Sequence, residues 1–344
     1  MERLAAPRVV SLHPAGTDTL ASLGLLHLLV GRSHECDAHG VLHVPVCTES
    51  KLGDAGGLSS AEVDAASTAT STGLWDVAGE AGSTLEWGLA VYRTRLEALR
   101  TARPDVILTQ VQSASGVLSV ANATASLTQL LGYTPVLVQL ESESLEDVWA
   151  DMQAVADACH AHDTGSMVVA HCKGRLQSVA AARLDAVARP RVAVIQWPGP
   201  IYAAGAWVPA LIDLAGGHDA LAVPPGGASL HITPQQLCSS APDVIILALC
   251  GVDMAQARGA APELAKAVGQ DAWQRLPAVR TRRVYAADAV RLFSRATGSL
   301  LADTVELLAA LLHGTPADGG QAWCRISDEV LGGTSLVPAA LGAA

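Results

Sequence analysis

The feature that most constrains the fold is a short motif that occurs twice. Arg103–Leu108 reads RPDVIL, and Ala241–Ile246 reads APDVII. A second pair of similar stretches, RVV from Arg8 and RVA from Arg191, opens each half of the chain. Short apolar runs rich in Val and Ile, alternating with predicted helices, are typical of buried parallel strands. The repeat therefore predicts an α/β protein made of two related, doubly wound lobes.

Loops and helices around these strands predict the boundaries of the lobes. The predicted segments are a first lobe at 1–141 with an insertion at about 38–84, a helical linker at 142–188, a second lobe at 189–315 and an irregular tail at 316–344. Within the linker, Gly165–Ala188 is predicted as one long Ala-rich helix that joins the lobes. Another helix is predicted from about Leu85 to Thr101, because its apolar residues recur at helical spacing.

Composition limits the classes of partner and compartment. The net charge is −11 at pH 7, which argues against nucleic acid, because neutralising phosphates needs clustered Lys and Arg. No run of apolar residues is long enough to predict a membrane span. The seven cysteines are odd in number and include no CxxC pair, which favours a reducing compartment. With no signal peptide visible, we expect a cytoplasmic protein, or a periplasmic or organellar one only if a leader was removed.

The first candidate binding site follows two predicted strands near the N-terminus, Val9–Leu12 and Leu28–Gly31. Ligands of open parallel sheets lie at the carboxyl ends of the strands, so the residues after each strand are candidate ligand contacts. They are His13 and Pro14 after the first strand, and Arg32, His34, Glu35, Cys36 and Asp37 after the second.

Equivalent positions of the second lobe carry aromatic side chains, although aromatic residues make up only 3% of the chain. Such rings bind planar ligands through apolar contact. The candidate contacts are Trp197 and Tyr202 after the strand that opens this lobe, Trp207 on the next helix, and Phe293 and Arg295 after a strand at 283–286. Trp207 is equally compatible with the core of the lobe.

His34 and Cys36 lie in the densest group of candidate metal ligands, with His39, His43 and Cys47 nearby. Imidazole and thiolate suit zinc, copper(I) or an axial position on cobalt or haem iron. The spacing of these residues matches no zinc-finger pattern. A ligand-facing loop is therefore favoured over a self-contained metal site, and a solvated loop is the third interpretation.

Several motifs in one order carry a family resemblance. They are RVVSLHPAGT at 8–17, VGRSHECD at 30–37, RPDVILTQ at 103–110, AGAWVPALIDLAGG at 204–217 and APDVII at 241–246. Together they resemble the cobalamin- and ferric-siderophore-type (class III) substrate-binding proteins of ABC importers, and in particular their leaderless, cobalamin-binding-protein-like branch. The resemblance covers roughly residues 8–313.

This resemblance implies a class III-like periplasmic-binding-protein fold, with one long helix joining the lobes and a ligand held in the cleft between them. The implied ligand is a tetrapyrrole or metal chelate, with cobalamin first and haem or a ferric siderophore next. No cofactor is required beyond such a bound chelate. Importer-bound members dock through an acidic residue on each lobe. Glu62 is the candidate on the first lobe, but the region around Phe293 offers no second carboxylate, so an importer permease is a doubtful partner.

The predicted function is therefore non-catalytic binding of a small chelate ligand. No nucleophile elbow, phosphate-binding loop or GxGxxG motif predicts an enzyme. The alternative is an intracellular metal-handling protein or enzyme on the same scaffold that uses His34 and Cys36. A sensor or scaffold without any ligand is a third possibility.

Overall fold

The structure is a computed structural model that describes residues 6–51, 62, 81–111, 118–182, 189–252, 254–295, 297–314, 322–327 and 331. These residues form two compact units. The first unit holds the described residues up to Ser142 and Asp147–Ala170, and the second holds Glu143–Glu146 and those from His171 onward. Most of the predicted insertion and of the predicted tail lies outside the described residues.

The first unit is built on a parallel sheet. Its elements are β1 (Val9–Ser11), α1 (Pro14–Ser22), a 3-10 turn (Leu26–Leu28), β2 (Leu29–Arg32), β3 (Thr48–Glu49), α2 (Ala81–Gly88), β4 (Arg93–Thr94), α3 (Leu96–Ala102), β5 (Val106–Thr109), α4 (Val120–Leu131), β6 (Val136–Gln139), α5 (Leu145–Ala158) and α6 (His162–Ala181). The sheet order is β2, β1, β5, β6, and all neighbours are parallel. The first two residues of α5 and the second half of α6 belong to the other unit.

Both faces of this sheet are buried, because successive strand residues point to opposite sides. Val9 packs in a cluster with Leu20 of α1 and Val155 of α5. Its neighbour Val10 packs in a separate cluster with residues of α2, α3 and α4, among them Leu127. Helices therefore cover both faces, which is the doubly wound arrangement that the sequence predicts.

The repeated Pro-Asp motif has a structural cause in the first unit. Asp105 Oδ2 accepts a hydrogen bond from the backbone N–H of Arg8 at 2.8 Å. The Arg8 guanidinium in turn donates to the carbonyl of Ala102 at 2.8 Å, at the end of α3. Arg103 turns the chain out of that helix with a left-handed φ of 45°. The motif thus ties the start of β1 to the start of β5 and to the preceding helix end.

The second unit builds the same arrangement with its own copy of the motif. Asp243 Oδ2 accepts from the backbone N–H of Arg191 at 2.9 Å. Arg191 Nε donates to the carbonyl of Ser240 at 2.9 Å, and Ala241 leaves its helix with a φ of 43°. Matching contacts in both units explain why these residue types recur in both halves of the sequence.

One predicted helix of the first unit is wrong. The apolar spacing predicts a single helix over 85–101, but α2 ends at Gly88 and α3 begins only at Leu96. Between them, Arg93–Thr94 pairs antiparallel with Thr48–Glu49. Pairing with a distant strand outweighs the local helical pattern, and glycine at position 88 is a poor helix former.

The second unit contains a seven-stranded mixed sheet. Its elements are β7 (Arg191–Pro198), β8 (Ile201–Ala203), α7 (Val208–Leu214), β9 (His218–Asp219), β10 (Leu230–His231), α8 (Pro234–Ser240), β11 (Val244–Leu247), α9 (Met254–Val268), α10 (Gln270–Arg275), α11 (Pro277–Arg280), β12 (Val284–Ala287), α12 (Ala289–Leu292), α13 (Gly298–His313) and β13 (Trp323–Arg325). The main order is β10, β8, β7, β11, β12, β13, and β9 lies beside the start of β7.

The centre of this sheet is parallel and its edges are not. β7, β11 and β12 are parallel neighbours, whereas β8, β10 and β13 run antiparallel to theirs. β13 falls in the stretch predicted as an irregular tail, and its Trp323 pairs with Ala287. An edge strand supplied from the C-terminus covers the open side of β12. A short three-residue strand of this kind leaves too weak a sequence pattern to predict.

Helices again cover both faces of the central strands. Ala193, Ile245 and Ala286 pack with α9 and α10, including the fully buried Trp273. On the opposite face, Val192 lies close to Gly217, where an added Cβ would meet side chains of α7 and α13. The α/β fold class with two doubly wound units is therefore confirmed.

The long helix α6 continues from the first unit into the second. The sequence predicts it at 165–188; residues up to Ala181 are helical, and 183–188 lie outside the described residues. In the second unit, Arg175 of α6 forms ion pairs with Asp303 and Glu306 of α13, both at 2.8 Å. Among the described helices, none combines the length and apolar character that a membrane span requires.

Candidate functional site

His13 and Pro14 lie directly after β1, where the sequence places them. Pro14 is the first residue of α1, and His13 caps that helix, its Nδ1 accepting from the backbone N–H of Ala15 at 3.3 Å. The carbonyl of His13 accepts from Ser11 Oγ at 2.7 Å. Because Nδ1 accepts, the neutral ring carries its proton on Nε2, which makes Nε2 a hydrogen-bond donor.

Arg32, at the end of β2, is buried and holds the loop that follows. Its guanidinium donates to the carbonyls of Ser33 (3.0 Å), Cys36 (3.2 Å), Val44 (3.1 Å) and Leu42 (3.4 Å). Only 8% of the residue is exposed. Its donors are therefore committed to shaping the loop, a role that the sequence does not indicate, and a direct ligand contact stays a prediction.

His34 is held on one side by hydroxyl groups. Its Nδ1 lies 2.7 Å from Thr48 Oγ1, and its backbone N–H donates to the same oxygen at 3.0 Å. Thr48 Oγ1 donates onward to Ser33 Oγ at 3.1 Å. Burial lowers the pKa of His34 below its usual 6.5, so the ring is neutral at pH 7.

Tyr92 brings the two histidines of the first unit together. Its ring stacks on His13 with a centroid distance of 6.3 Å and an angle of 21°. It meets His34 edge-on at 4.7 Å and 78°. The sequence does not single out Tyr92, because the apolar spacing predicts it on the apolar face of a helix over 85–101. Predicting two separate elements with a loop between them would have marked Tyr92 as a candidate site residue.

The Tyr92 loop is anchored by charged side chains. Lys51 Nζ donates to the carbonyls of Trp87 (2.5 Å) and Ala90 (2.9 Å), and burial lowers the pKa of Lys51 to about 8. On the other side, Arg93 forms an ion pair with Glu49 at 2.7 Å. The loop therefore presents its tyrosine from a fixed backbone.

Cys36 is not placed as a metal ligand. It is only 2% exposed, packs in the apolar cluster that contains Val9, and its Sγ lies 3.0 Å from Thr17 Oγ1. Glu35 and Asp37 beside it are exposed. Within the part of the chain that the structure describes, no three His, Cys, Asp or Glu side chains are grouped to hold a metal ion. The alternative function needs a metal site that uses His34 and Cys36, and the described residues contain no self-contained site of this kind.

In the second unit, Trp197 and Tyr202 face one another across a tight hairpin. They are register partners in the β7–β8 pair, and both are partly exposed. The Tyr202 ring also contacts that of His231 on β10, at a centroid distance of 5.5 Å. These rings form an aromatic surface at the carboxyl end of β7, as the sequence predicts for Trp197 and Tyr202.

A polar group that the sequence did not indicate includes Gln196, the residue before Trp197 on β7. Gln196 Nε2 donates to Cys250 Sγ at 2.8 Å, and Ser229 Oγ donates to Gln196 Oε1 at 2.5 Å. Cys250 Sγ also lies 3.5 Å from Ser294 Oγ. Gln196 is on β7, Cys250 follows β11, and Ser294 follows α12 after β12. The carboxyl ends of three parallel strands thus meet in one hydrogen-bonded set.

Trp207, Phe293 and Arg295 are all buried in the second unit, with exposures of 9%, 6% and 7%. The indole Nε1 of Trp207 is buried without a hydrogen-bond partner. The loop before Trp207 runs so close to Gly227 that a Cβ on Gly205 would lie 2.4 Å from its carbonyl oxygen. These residues pack the loops behind the strand ends, and their ligand contacts stay predictions.

Glu62, the candidate docking residue, is exposed. Its chain neighbours lie outside the described residues, so its surroundings say nothing about a partner. Its role in docking stays a prediction.

Comparison with protein families matches residues 9–290 to the family described as periplasmic binding protein. This match spans both units. Comparison with curated protein sequences gives no significant match.

Solved structures of low sequence identity share the fold. A periplasmic haem-binding protein from Pseudomonas aeruginosa is 17% identical, with a TM-score of 0.61 over 94% of this chain and 98% of that one. The periplasmic vitamin B12-binding protein BtuF of Vibrio cholerae is 19% identical, with a TM-score of 0.57 over 89% and 97%. An ABC transporter substrate-binding protein from Listeria monocytogenes is 17% identical, with a TM-score of 0.60 over 90% and 99%.

These findings correct one prediction and confirm another. The cytoplasmic localisation expected from the cysteines and the N-terminus is wrong, because the matching family and several of its structural neighbours are periplasmic binding proteins. Buried cysteines explain the error, since thiols enclosed in a core, such as Cys36 and Cys47, carry little information about compartment. The class III-like family resemblance is confirmed: this chain belongs to the periplasmic binding protein family.

Proposed function

We propose that this protein is a non-catalytic binding protein for a tetrapyrrole or similar metal chelate, with cobalamin as the first choice and haem or a ferric siderophore next. The observation that carries the proposal is the placement of rings and polar groups at the carboxyl ends of parallel strands in each unit. In the first unit these are His13 and His34, whose rings Tyr92 contacts from its own loop, and in the second Trp197 and Tyr202.

The chemistry of these groups suits a large planar ligand. Partly exposed aromatic rings bind a macrocycle through apolar contact at low cost in side-chain entropy. Imidazole nitrogens and the Gln196–Cys250 group add directed polar contacts at the edges. Solved structures that share this fold include haem-binding and vitamin B12-binding proteins, which supports the same ligand class for this chain.

Catalysis is not part of the proposal. The side chains on which it rests are imidazole, aromatic rings, amide and thiol groups. An importer permease stays a doubtful partner, and docking through Glu62 stays a prediction.

Equilibrium titration tests the proposal. The purified chain is titrated with aquacobalamin, haemin and a ferric hydroxamate siderophore, and binding is followed by quenching of tryptophan fluorescence. We expect saturable binding of at least one chelate at micromolar concentration or below. Absence of saturable binding for all three sinks the proposal.

Matched variants test which rings carry the binding. We expect Tyr92→Ala and Trp197→Ala each to weaken binding about 10-fold, since a buried aromatic contact contributes ~1–2 kcal/mol. Tyr133→Ala is the control, because Tyr133 is partly exposed and donates to Pro104, just before β5, at the other end of the sheet. Equal losses in all three variants would show that binding does not depend on the strand-end rings.

A further inference from the structure

The strand β10 leaves one edge of the second unit's sheet open. It stands at the end of the order β10, β8, β7, β11, β12, β13, and within the described part of the chain no strand pairs with its outer side. Both of its residues, Leu230 and His231, are exposed. An open edge offers backbone N–H and C=O groups to another strand, so β10 can pair with a further chain.

The register of β10 shows which backbone groups are available for pairing. His231 lies opposite Tyr202 of β8, and the N–H of the next residue, Ile232, donates to the carbonyl of Ile201 at 2.9 Å. Hydrogen-bonded and non-hydrogen-bonded pairs alternate along an antiparallel ladder, so the N–H and C=O of His231 point away from β8. The outer edge therefore offers a donor and an acceptor on one residue.

A groove of about 500 Å³ lies beside this edge, between β10 and α8. Leu230 and Ile232 line it from the sheet, on the face that packs against the helices. Leu230 is 43% exposed, which is high for a large apolar side chain. The residues that the structure shows lining the groove carry no charged side chain. The groove therefore suits an apolar side chain of a partner rather than a charged ligand.

A second copy of the chain fits both the edge and the groove. In an antiparallel pair centred on the two His231 residues, each His231 donates its N–H to the carbonyl of the other. In that register Leu230 of one copy lies directly opposite Ile232 of the second copy, on the face that holds the groove. The contact is reciprocal, because a two-fold interface uses the same patch of both copies.

Charge also favours this patch as a contact between copies. The net charge of −11 makes two copies repel one another over most of their surfaces. With no Asp, Glu, Lys or Arg among the lining residues of the groove, pairing at β10 brings no like charges into direct contact there.

We propose that the outer edge of β10 is a self-association surface, through which two copies pair with Leu230 of each copy in the groove of the other. The inference does not depend on the proposed function, because the rings of Trp197 and Tyr202 lie on the opposite face of the sheet. The contact is small, so we expect a dissociation constant in the micromolar range.

Sedimentation velocity over a range of protein concentrations tests the proposal. The average mass of the wild-type chain should rise from one copy toward two. Leu230→Lys should weaken pairing at least ~100-fold, because it places an unpaired charge in an apolar groove. Leu42→Lys is the matched control: Leu42 is a 71% exposed leucine of the first unit, so this variant should pair as wild type does.

Two variants of His231 test whether the backbone makes the contact. His231→Pro removes the outward N–H and should abolish pairing, and proline is tolerated on an edge strand. His231→Ala keeps that N–H and should weaken pairing less than ~5-fold, the range of a cross-strand side-chain contact.

A disulfide tests the register. Opposite Cα atoms of such a pair are ~5.5 Å apart, within reach of a disulfide, so His231→Cys should give a covalent dimer with oxidised glutathione. Mass spectrometry should find the bond between the two residues at position 231, and Leu42→Cys should give no dimer linked through position 42.

A wild-type chain that sediments as one copy even at ~1 mM overturns the proposal, whatever the chelate titration shows. Equal pairing by wild type and Leu230→Lys, or equal weakening in both lysine variants, also overturns it. Pairing that Leu230→Lys and His231→Pro lose and Leu42→Lys keeps supports it.

Discussion

The loop that presents His34 depends on one buried guanidinium, and replacing it should destabilise that region. Arg32→Met keeps the aliphatic stem but leaves four carbonyls, of Ser33, Cys36, Leu42 and Val44, without their donor. Three of the four bonds are buried. Hydrogen bonds to a charged donor contribute ~1.5–3 kcal/mol each, and water can replace part of this at a loop, so we expect a loss of ~3 kcal/mol in unfolding free energy.

Thermal unfolding followed by circular dichroism measures this loss. For a unit of this size, ~1 kcal/mol corresponds to ~2–4 °C, so the transition of the first unit should fall by roughly 6–12 °C. Hydrogen exchange should accelerate at the amide of Cys47, which is bonded to the Arg32 carbonyl at 2.7 Å. Arg100→Met is the control, because Arg100 is 59% exposed and pairs with Glu97 on the surface. A change in Arg32→Met no larger than in this control refutes the reasoning.

Three other predictions follow from local surroundings. Gly205→Ala should destabilise the second unit strongly, because the new Cβ would lie 2.4 Å from a backbone oxygen of the facing loop. Gly174→Ala in α6 is the control: its new Cβ meets nothing within 4 Å, so this variant should be neutral or stabilising. Equilibrium denaturation compares the unfolding free energies of the two variants. Burial raises the pKa of Cys47 to about 11, so iodoacetamide at pH 8 should label the partly exposed Cys238 and spare Cys47 in the native protein, as mass spectrometry would show. Lys51 should titrate near pH 8, below its usual 10.5, because burial disfavours its charged form; NMR of isotope-labelled lysine tests this, and a midpoint near 10.5 would contradict it.

The repeat was the most reliable guide to the fold. Its Arg and Pro-Asp residues make the same backbone contacts in both units, Arg8 with Asp105 and Arg191 with Asp243. A motif whose polar residues bond to backbone groups constrains geometry directly, so the strands that it marks could be placed from sequence alone. The parallel strands predicted around it also fixed which loops stand at the carboxyl ends.

Strand pairing between segments that are far apart in sequence limited what could be predicted of the remaining fold. The apolar residues from Leu85 to Thr101 do recur at helical spacing, but the pairing of β4 with β3 decides the structure there. No local sequence pattern predicts that pairing. Tyr92 was missed for that reason. The antiparallel β13 was missed similarly, because its partner β12 lies far away in sequence.

Residue type alone also did not separate binding groups from structural ones. His34, Cys36 and Arg32 are close in sequence, yet one has an unpartnered ring nitrogen, one is enclosed in the core and one holds four carbonyls. Which way each side chain points is set by the loop as a whole. Strand-end position could be predicted from the sequence, and orientation could not.

Chelate binding is the central claim, and a titration of the wild-type chain with aquacobalamin and haemin in parallel tests it most directly. Saturable binding at or below micromolar concentration, weakened by Tyr92→Ala and by Trp197→Ala but not by Tyr133→Ala, is the predicted result. Saturable binding of neither chelate nor of a ferric hydroxamate siderophore, or binding that all three variants leave unchanged, would contradict the account.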